Sequence, residues 1–247
     1  MSFFDYNTVF VVFPLRSYRF GINWISLDII KYDVYSGPNI GLYTAVNDKY
    51  VFIPNGYAKS KAEKLADYLN VEPVFTSMAN TRLIGAMMVV NNNGVLIPHN
   101  AIPSEYEHIK KSTGLNIDVI DSKHNALGNL ICANDKGAVV SPMIPKEKIK
   151  QIEDTLGVEV IQKKVAGYHQ VGVMVVATMH GGVIHPEADD DEIKSIADVL
   201  GVNIEPGTIN GGIPYLHSGI LANNHSMVVG GHTTGPEIMM LTRAFSG

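Results

Sequence analysis

The chain has a single cysteine, Cys132, among its 247 residues. No intramolecular disulfide can form, which fits a reducing cytoplasm and leaves the fold to rest on packing alone. Positive charge is not in surplus either: the formal net charge is −5 and the pI is near 6.0. Proteins that hold nucleic acid by neutralising phosphates are usually basic, so the balance points to a protein surface as partner and suits a basic one. The apolar run at residues 8–14 is far shorter than the ~20 residues that cross a bilayer. Arg16 and Arg19 follow that run rather than precede it, against the order of a secretory signal. There is no cysteine pair, no His-Glu-x-x-His and no Gly-x-x-x-x-Gly-Lys-Ser/Thr, so the usual signatures for zinc and for nucleotide phosphate are missing.

What is present is a repeat. Five short polar turns sit between apolar strand-like runs: Val46-Asn47-Asp48-Lys49-Tyr50-Val51, Val90-Asn91-Asn92-Asn93-Gly94-Val95, Ala133-Asn134-Asp135-Lys136-Gly137-Ala138, Ala177-Thr178-Met179-His180-Gly181-Gly182 and Ala222-Asn223-Asn224-His225-Ser226-Met227. Taking Asn47, Asn91, Asn134, Thr178 and Asn223 as anchors, the spacings are 44, 43, 44 and 45 residues. Asn, Asp and Gly tolerate the positive φ of a tight hairpin, and the β-branched flanks suit strands, so each unit is expected to hold a β-hairpin with a positive-φ turn.

A helix is expected after each hairpin. Ser60 with Glu63, Ser104 with Glu107, and Asp189 with Glu192 stand at capping-box spacing. Ile149, Ile152 and Leu156, and then Ile193, Ile196, Ala197 and Leu200, recur with helical period. Gly114, Gly157 and Gly201 are placed to stop three helices in the left-handed region. A third strand follows at 116–121, 158–162 and 202–205. Units of about 44 residues cannot bury their own faces and must stack. A closed ring protects strand edges, so the expectation is an α/β fold in which five repeats form a five-bladed propeller.

Five such units leave residues 1–26 over. That stretch is rich in aromatics (Phe3, Phe4, Tyr6, Phe10, Phe13, Tyr18, Phe20, Trp24) and lacks the repeat. The reading is a leader outside a single domain spanning 27–247, with translation starting at position 27. Peptides from 1–26 in the native protein's mass spectrum would overturn it.

Four motifs go beyond architecture: Arg82-Leu83-Ile84-Gly85, Ala126-Leu127-Gly128-Asn129 with the turn after it, Gly181-Gly182-Val183-Ile184-His185-Pro186, and Val228-Val229-Gly230-Gly231-His232-Thr233-Thr234-Gly235-Pro236-Glu237. Spread over the repeats at these distances, they make the chain resemble the archaeal translation initiation factor six family, the ribosomal anti-association factors. The resemblance covers about 27–245. It implies the pentein fold, a five-fold pseudo-symmetric α/β propeller. It implies binding to the large ribosomal subunit on the face that meets the small subunit, which blocks premature joining. The implied contacts are chiefly ribosomal proteins beside the sarcin–ricin loop. Release is expected to need a GTPase resembling an elongation factor and a partner of the Shwachman–Diamond family. No cofactor, metal or catalytic residue is implied, and the factor is expected to act as a monomer. Eukaryotic members carry a longer phosphorylatable tail, so an end at Gly247 reads as archaeal.

By repeat symmetry Leu42, Ala86, Asn129 and Val173, each following a glycine, are expected at one end of the ring, with Asn129 at the start of a strand. Asn80, Arg82 and Asn125 precede the corresponding glycines on the same rim. The resemblance makes this end the ribosome-binding face. The rival readings are that Asn129 caps a turn and that Arg82 is an ordinary solvated arginine. Elsewhere the plain readings are preferred. Cys132 is a small core residue, and His180, His185, His225 and His232 are turn histidines. Asp189-Asp190-Asp191-Glu192 is a helix N-terminus complementing the macrodipole. The Gly230-to-Gly235 loop closes the ring. Penteins also include arginine deiminases and amidinotransferases, but those enzymes use a late cysteine nucleophile. The fifth unit here has none, so an enzyme is disfavoured. A scaffold for some other protein partner stays open.

Overall fold

The chain's computed structural model describes residues 27–246, so the expected leader over 1–26 lies outside the described residues. The described chain opens with β1 (Asp28–Tyr32). Unit one is α1 (Ile40–Tyr43), β2 (Ala45–Val46), β3 (Tyr50–Pro54), α2 (Lys59–Leu69) and β4 (Glu72–Thr76). Unit two repeats the order as α3 (Ile84–Met87), β5 (Val89–Val90), β6 (Gly94–Pro98), α4 (Pro103–Thr113) and β7 (Asn116–Ile120). Unit three is α5 (Leu127–Leu130), β8 (Ile131–Ala133), β9 (Gly137–Val140), α6 (Ile149–Leu156, entered through a 3-10 turn) and β10 (Glu159–Gln162). Unit four is α7 (Val171–Met174), β11 (Val175–Ala177), β12 (Gly182–Ile184), α8 (Asp190–Leu200) and β13 (Ile204–Pro206). Unit five has α9 (Leu216–Gly219), β14 (Ile220–Ala222), β15 (Ser226–Gly230) and α10 (Gly235–Ala244).

Each unit forms one three-stranded sheet, with an antiparallel hairpin and a third strand parallel to the hairpin's second strand. Among the described residues unit five has no third strand of its own. β1 fills the place, pairing parallel with β15 from Asp28↔Ser226 to Tyr32↔Gly230. The expected four-element unit was also one element short, because a single helical turn precedes every hairpin. These turns touch in the order α1, α3, α5, α7, α9, and α9 returns to α1.

The hairpin turns differ from expectation in chemistry. None of their residues has positive φ. Instead the anchor side chain folds over its own turn: Asn47 Oδ1 accepts from the N–H of Lys49 at 2.9 Å and of Tyr50 at 2.8 Å, and Asn91, Asn134 and Asn223 do the same. The helix stops follow the sequence reading: Gly114, Gly157 and Gly201 are C-caps with φ of 66°, 66° and 62°. Of the three expected capping boxes only Asp189–Glu192 forms as placed, with Glu192 N–H donating to Asp189 Oδ1 at 2.7 Å. In α4 the reciprocal residue is Glu105, which accepts from Ile102 N–H at 3.0 Å with Pro103 opening the helix. α2 begins after Ala58 without a side-chain cap, so Ser60 and Glu63 lie inside the helix.

The core runs between units rather than within them. α2 buries Ala62, Leu65 and Leu69 in one cluster with Ile53 of its own sheet and with Leu221 and Val228 of unit five. Phe52 of unit one packs with Val95, Ile97 and Ile109 of unit two. Each fully buried aliphatic side chain contributes about 1.5–3 kcal/mol, so the favourable burial belongs to junctions and no unit is complete alone. No helix among the described residues is long and apolar enough to cross a membrane.

Candidate functional site

A second set of turns, these with positive φ, lies at the end of the units opposite the hairpin turns. Val34 and Gly37 exchange backbone hydrogen bonds at 3.1 Å around Tyr35 and Ser36, whose φ values are 53° and 59°. The bridged pairs Met78–Thr81, Val165–Tyr168 and Ile209–Ile213 repeat this turn in units two, four and five. In unit three the segment before α5 has no such bridge among the described residues.

Carboxylates hold three of these turns, those of units two, four and five. Glu105 accepts from Ser77 Oγ at 2.6 Å, Ala79 N–H at 2.8 Å and Asn80 N–H at 3.1 Å. Glu192 accepts from Ala166 N–H at 2.9 Å. Glu237 accepts from Thr208 Oγ1 at 2.9 Å and from the N–H of Gly211 at 3.0 Å, Gly212 at 2.8 Å and Thr234 at 2.7 Å. Burial alone would raise the carboxyl groups of Glu105 and Glu237, but the donated hydrogen bonds outweigh it. Glu105 is held below the ordinary carboxylate range and Glu237 is held at about 2.

These turns carry exposed apolar side chains. Of the seven exposed large hydrophobic residues among those described, Tyr35, Leu83, Tyr168, Ile213 and Tyr215 lie in or just after these turns. Tyr35 meets Tyr43 and Tyr57 edge-to-face with centroids at 5.0 and 5.3 Å. The Arg82 guanidinium stands 5.4 Å from the Tyr35 ring centre, joining units one and two. Exposed aromatic and aliphatic groups on successive turns, with an arginine against one of them, are the residue types that suit a macromolecular partner.

Leu42, Ala86, Asn129 and Val173 do occupy equivalent places, the third residue of α1, α3, α5 and α7, with Ser218 in α9. Asn129 is therefore in a helical turn and not at the start of a strand; its backbone N–H bonds Ala126 O at 3.1 Å. Its side-chain amide caps nothing among the described residues and is half-buried. Ala86 is buried at 5% exposure, so the expected row of outward side chains is broken in unit two. Leu42 and Val173 are half-buried, while Arg82 and Asn80 are exposed. Asn125 is half-buried and its Oδ1 has no hydrogen-bond partner. Sequence reasoning misses the aromatic rim because apolar residues beside Gly and Asn look like turn flanks. The signal is there in Tyr35-Ser36-Gly37, Gly167-Tyr168 and Gly212-Ile213-Pro214-Tyr215.

At the axis Gly41, Gly85, Gly128 and Gly172 let the single-turn helices approach: a Cβ on Gly85 would lie 2.0 Å from Gly41 O, and one on Gly128 2.0 Å from Gly85 O. In unit five this place belongs to His217, which faces a central cavity of about 90 Å³. Desolvation there pushes its imidazole down to about 4, so it is neutral at pH 7. Cys132 lines the same cavity. Burial pushes its thiol up to about 12, outweighing a backbone hydrogen bond at Ala177, so a nucleophilic thiolate does not form there at neutral pH. His185 is buried with Nδ1 accepting from Glu187 N–H at 3.2 Å, a turn role. Asp189 to Glu192 form the cap and first turn of α8. The Gly230-to-Gly235 loop joins the two ends of the described chain, since Gly231 N–H donates to Asp33 Oδ1 at 2.9 Å.

These features define a repeat protein with an exposed aromatic rim. The sequence profile of the eIF-6 family matches residues 29–244. Translation initiation factor 6 of Nitrosopumilus maritimus is 67% identical over 219 residues, covering 89% of this chain and 99% of that protein. The same-named protein of Cenarchaeum symbiosum is 63% identical over 221 residues, covering 90% and 100%. The chain belongs to the eIF-6 family. Among solved structures, DDAH from Pseudomonas aeruginosa aligns over 81% of this chain and 95% of that one, with a TM-score of 0.42 and 12% identity; the architecture therefore stands on the contacts described above.

Proposed function

We propose that this protein binds the large ribosomal subunit on the face that meets the small subunit and prevents premature joining by steric exclusion. The observation that carries the reading is the aromatic rim with Arg82, formed on the turns that lead into α1, α3, α7 and α9 of an eIF-6 family chain. The rim, with Asn80, Asn125, Asn129, Leu42 and Val173 around it and Ala86 beneath, makes the contact. The partner surface is chiefly ribosomal protein beside the sarcin–ricin loop, in keeping with a net charge of −5. The factor works as a cytoplasmic monomer in initiation and in large-subunit maturation, without enzymatic activity or a cofactor. Release is by an elongation-factor-like GTPase with a Shwachman–Diamond family protein. The scaffold over 27–247 is a pentein, a five-bladed α/β propeller closed by β1.

Sucrose-gradient sedimentation with separated ribosomal subunits tests the reading. Co-migration with the large subunit and fewer joined ribosomes are expected. Failure to bind large subunits of the same organism would sink it.

A further inference from the structure

Three Asn-Gly pairs occur in the chain: Asn55-Gly56, Asn93-Gly94 and Asn210-Gly211. Such a pair can rearrange without an enzyme. The glycine nitrogen attacks the asparagine Cγ, the Cγ–Nδ2 bond breaks, and ammonia leaves with the amide proton. Water then opens the resulting succinimide at either carbonyl, giving aspartate or an isoaspartyl linkage through the side chain. The reaction needs a free glycine N–H, a free side-chain amide, and a backbone able to bring them together.

Two of the pairs are locked. Gly94 N–H donates to Asn91 Oδ1 at 3.0 Å, and Asn93 Nδ2 donates to Leu156 O at 2.9 Å. Gly211 N–H donates to Glu237 Oε2 at 3.0 Å. Asn210 Nδ2 donates to Pro38 O at 3.1 Å, and its Oδ1 accepts from Thr233 Oγ1 at 3.3 Å.

Asn55 and Gly56 are both exposed, in the four-residue turn between β3 and α2 closed by Tyr57 N–H to Pro54 O at 3.1 Å. Among the described residues neither the Asn55 side chain nor the Gly56 N–H has a hydrogen-bond partner, and nothing lies within 4 Å of a Cβ built on Gly56. Gly56, at φ 79°, has the freedom the attack requires. We propose that Asn55-Gly56 is the autocatalytic modification site of this protein, converting to aspartate or isoaspartate in the folded state while the other two pairs stay intact. The product adds a negative charge, and as isoaspartate one extra backbone carbon, two residues before Tyr57, which packs on Tyr35 of the rim.

The test is to incubate the native protein in mildly alkaline heavy-oxygen water, with a second sample unfolded in urea, and to map label by peptide mass spectrometry. Label is expected at residue 55 in the native sample at a rate about tenfold or more above residues 93 and 210, since those sites must first break their bonds. All three should label comparably in urea. Native label that is absent at 55, or as fast at 93 or 210 as at 55, overturns the proposal. N55Q should remove the native label and keep the melting temperature, separating modification from instability.

Discussion

Asn223 Nδ2 donates to Asn47 O at 3.2 Å, joining two residues 176 apart in sequence. The same bond recurs from Asn47 to Asn91 O at 3.0 Å, from Asn91 to Asn134 O at 3.1 Å, and from Asn134 to Thr178 O at 3.0 Å. A fifth link, from residue 178 to Asn223 O, is missing because threonine has no amide to donate. The junction of units four and five also lacks the axial glycine, with His217 in its place. One junction thus forgoes two devices that the other four share.

Thr178→Asn should supply the missing link. A net hydrogen bond contributes about 0.5–1.5 kcal/mol, which for a chain of this size raises the melting temperature by about 1–6 °C. Calorimetry checks the sign. Asn91→Ala should act oppositely and more strongly, because it strands the carbonyl of Asn134 and two turn N–H groups and takes away one of the two donors to Leu156 O. A T178N protein that melts lower than the parent would show that the amide ladder is not what joins the units.

Gly128→Ala tests the axial packing. The added methyl would lie 2.0 Å from Gly85 O and 2.8 Å from Met88 O, both backbone atoms that cannot turn aside. Overpacking typically costs about 1–3 kcal/mol, and rigid carbonyls on two sides put this case at or above the upper end. Gly114→Ala is the control, since its Cβ would meet open space and only the φ of 66° is at stake. Chemical denaturation of the two variants should rank them in that order.

Glu237 gives stability a pH dependence whose sign is fixed by its depressed value. Its contribution is fully present above the ordinary carboxylate pKa of about 4.3. It is lost as pH falls through the folded value of about 2. Glu237→Gln should cost about 1.5–3 kcal/mol at neutral pH, the range for hydrogen bonds to a charged group. It should also flatten the acid limb of the stability curve between those two pH values. An unchanged acid limb in E237Q would assign the dependence to other carboxylates, Glu105 first.

How far the sequence carried the fold follows from which signals are local. The C-cap glycines were legible because a glycine straight after a periodic run has one dominant use, the left-handed stop. The hairpins were legible as hairpins, but Asn47 and its equivalents could act through positive φ or through their side chains, and one residue type serves both. Ser104 with Glu107 had the right spacing two residues late; Pro103, suited to the first helical position, marked the true start. The single-turn helices are too short for any period to show. β1 was out of reach because its partner, β15, lies almost two hundred residues away. The rim was half legible: its place follows from the repeat, and its aromatic content does not.

The rim makes the most direct functional prediction. Arg82 is exposed and, among the described residues, its aromatic contact is with exposed Tyr35, so Arg82→Glu removes no buried interaction there. Asn129→Glu adds charge where the side-chain amide has no partner among the described residues. A surface change such as Arg82→Glu usually stays within about 0.5 kcal/mol, and half-buried Asn129 gives up no hydrogen bond, so the double variant should melt close to the parent. If the rim meets the ribosome, reversing charge at Arg82 and enlarging Asn129 should weaken co-sedimentation with the large subunit by about tenfold or more, the scale of losing a well-placed interface arginine. Tyr215→Ala, on the same rim in unit five, should weaken it without any change in net charge. That separates loss of contact from long-range repulsion: only repulsion is relieved by added salt, because screening acts on the charge variants and leaves an apolar deletion untouched.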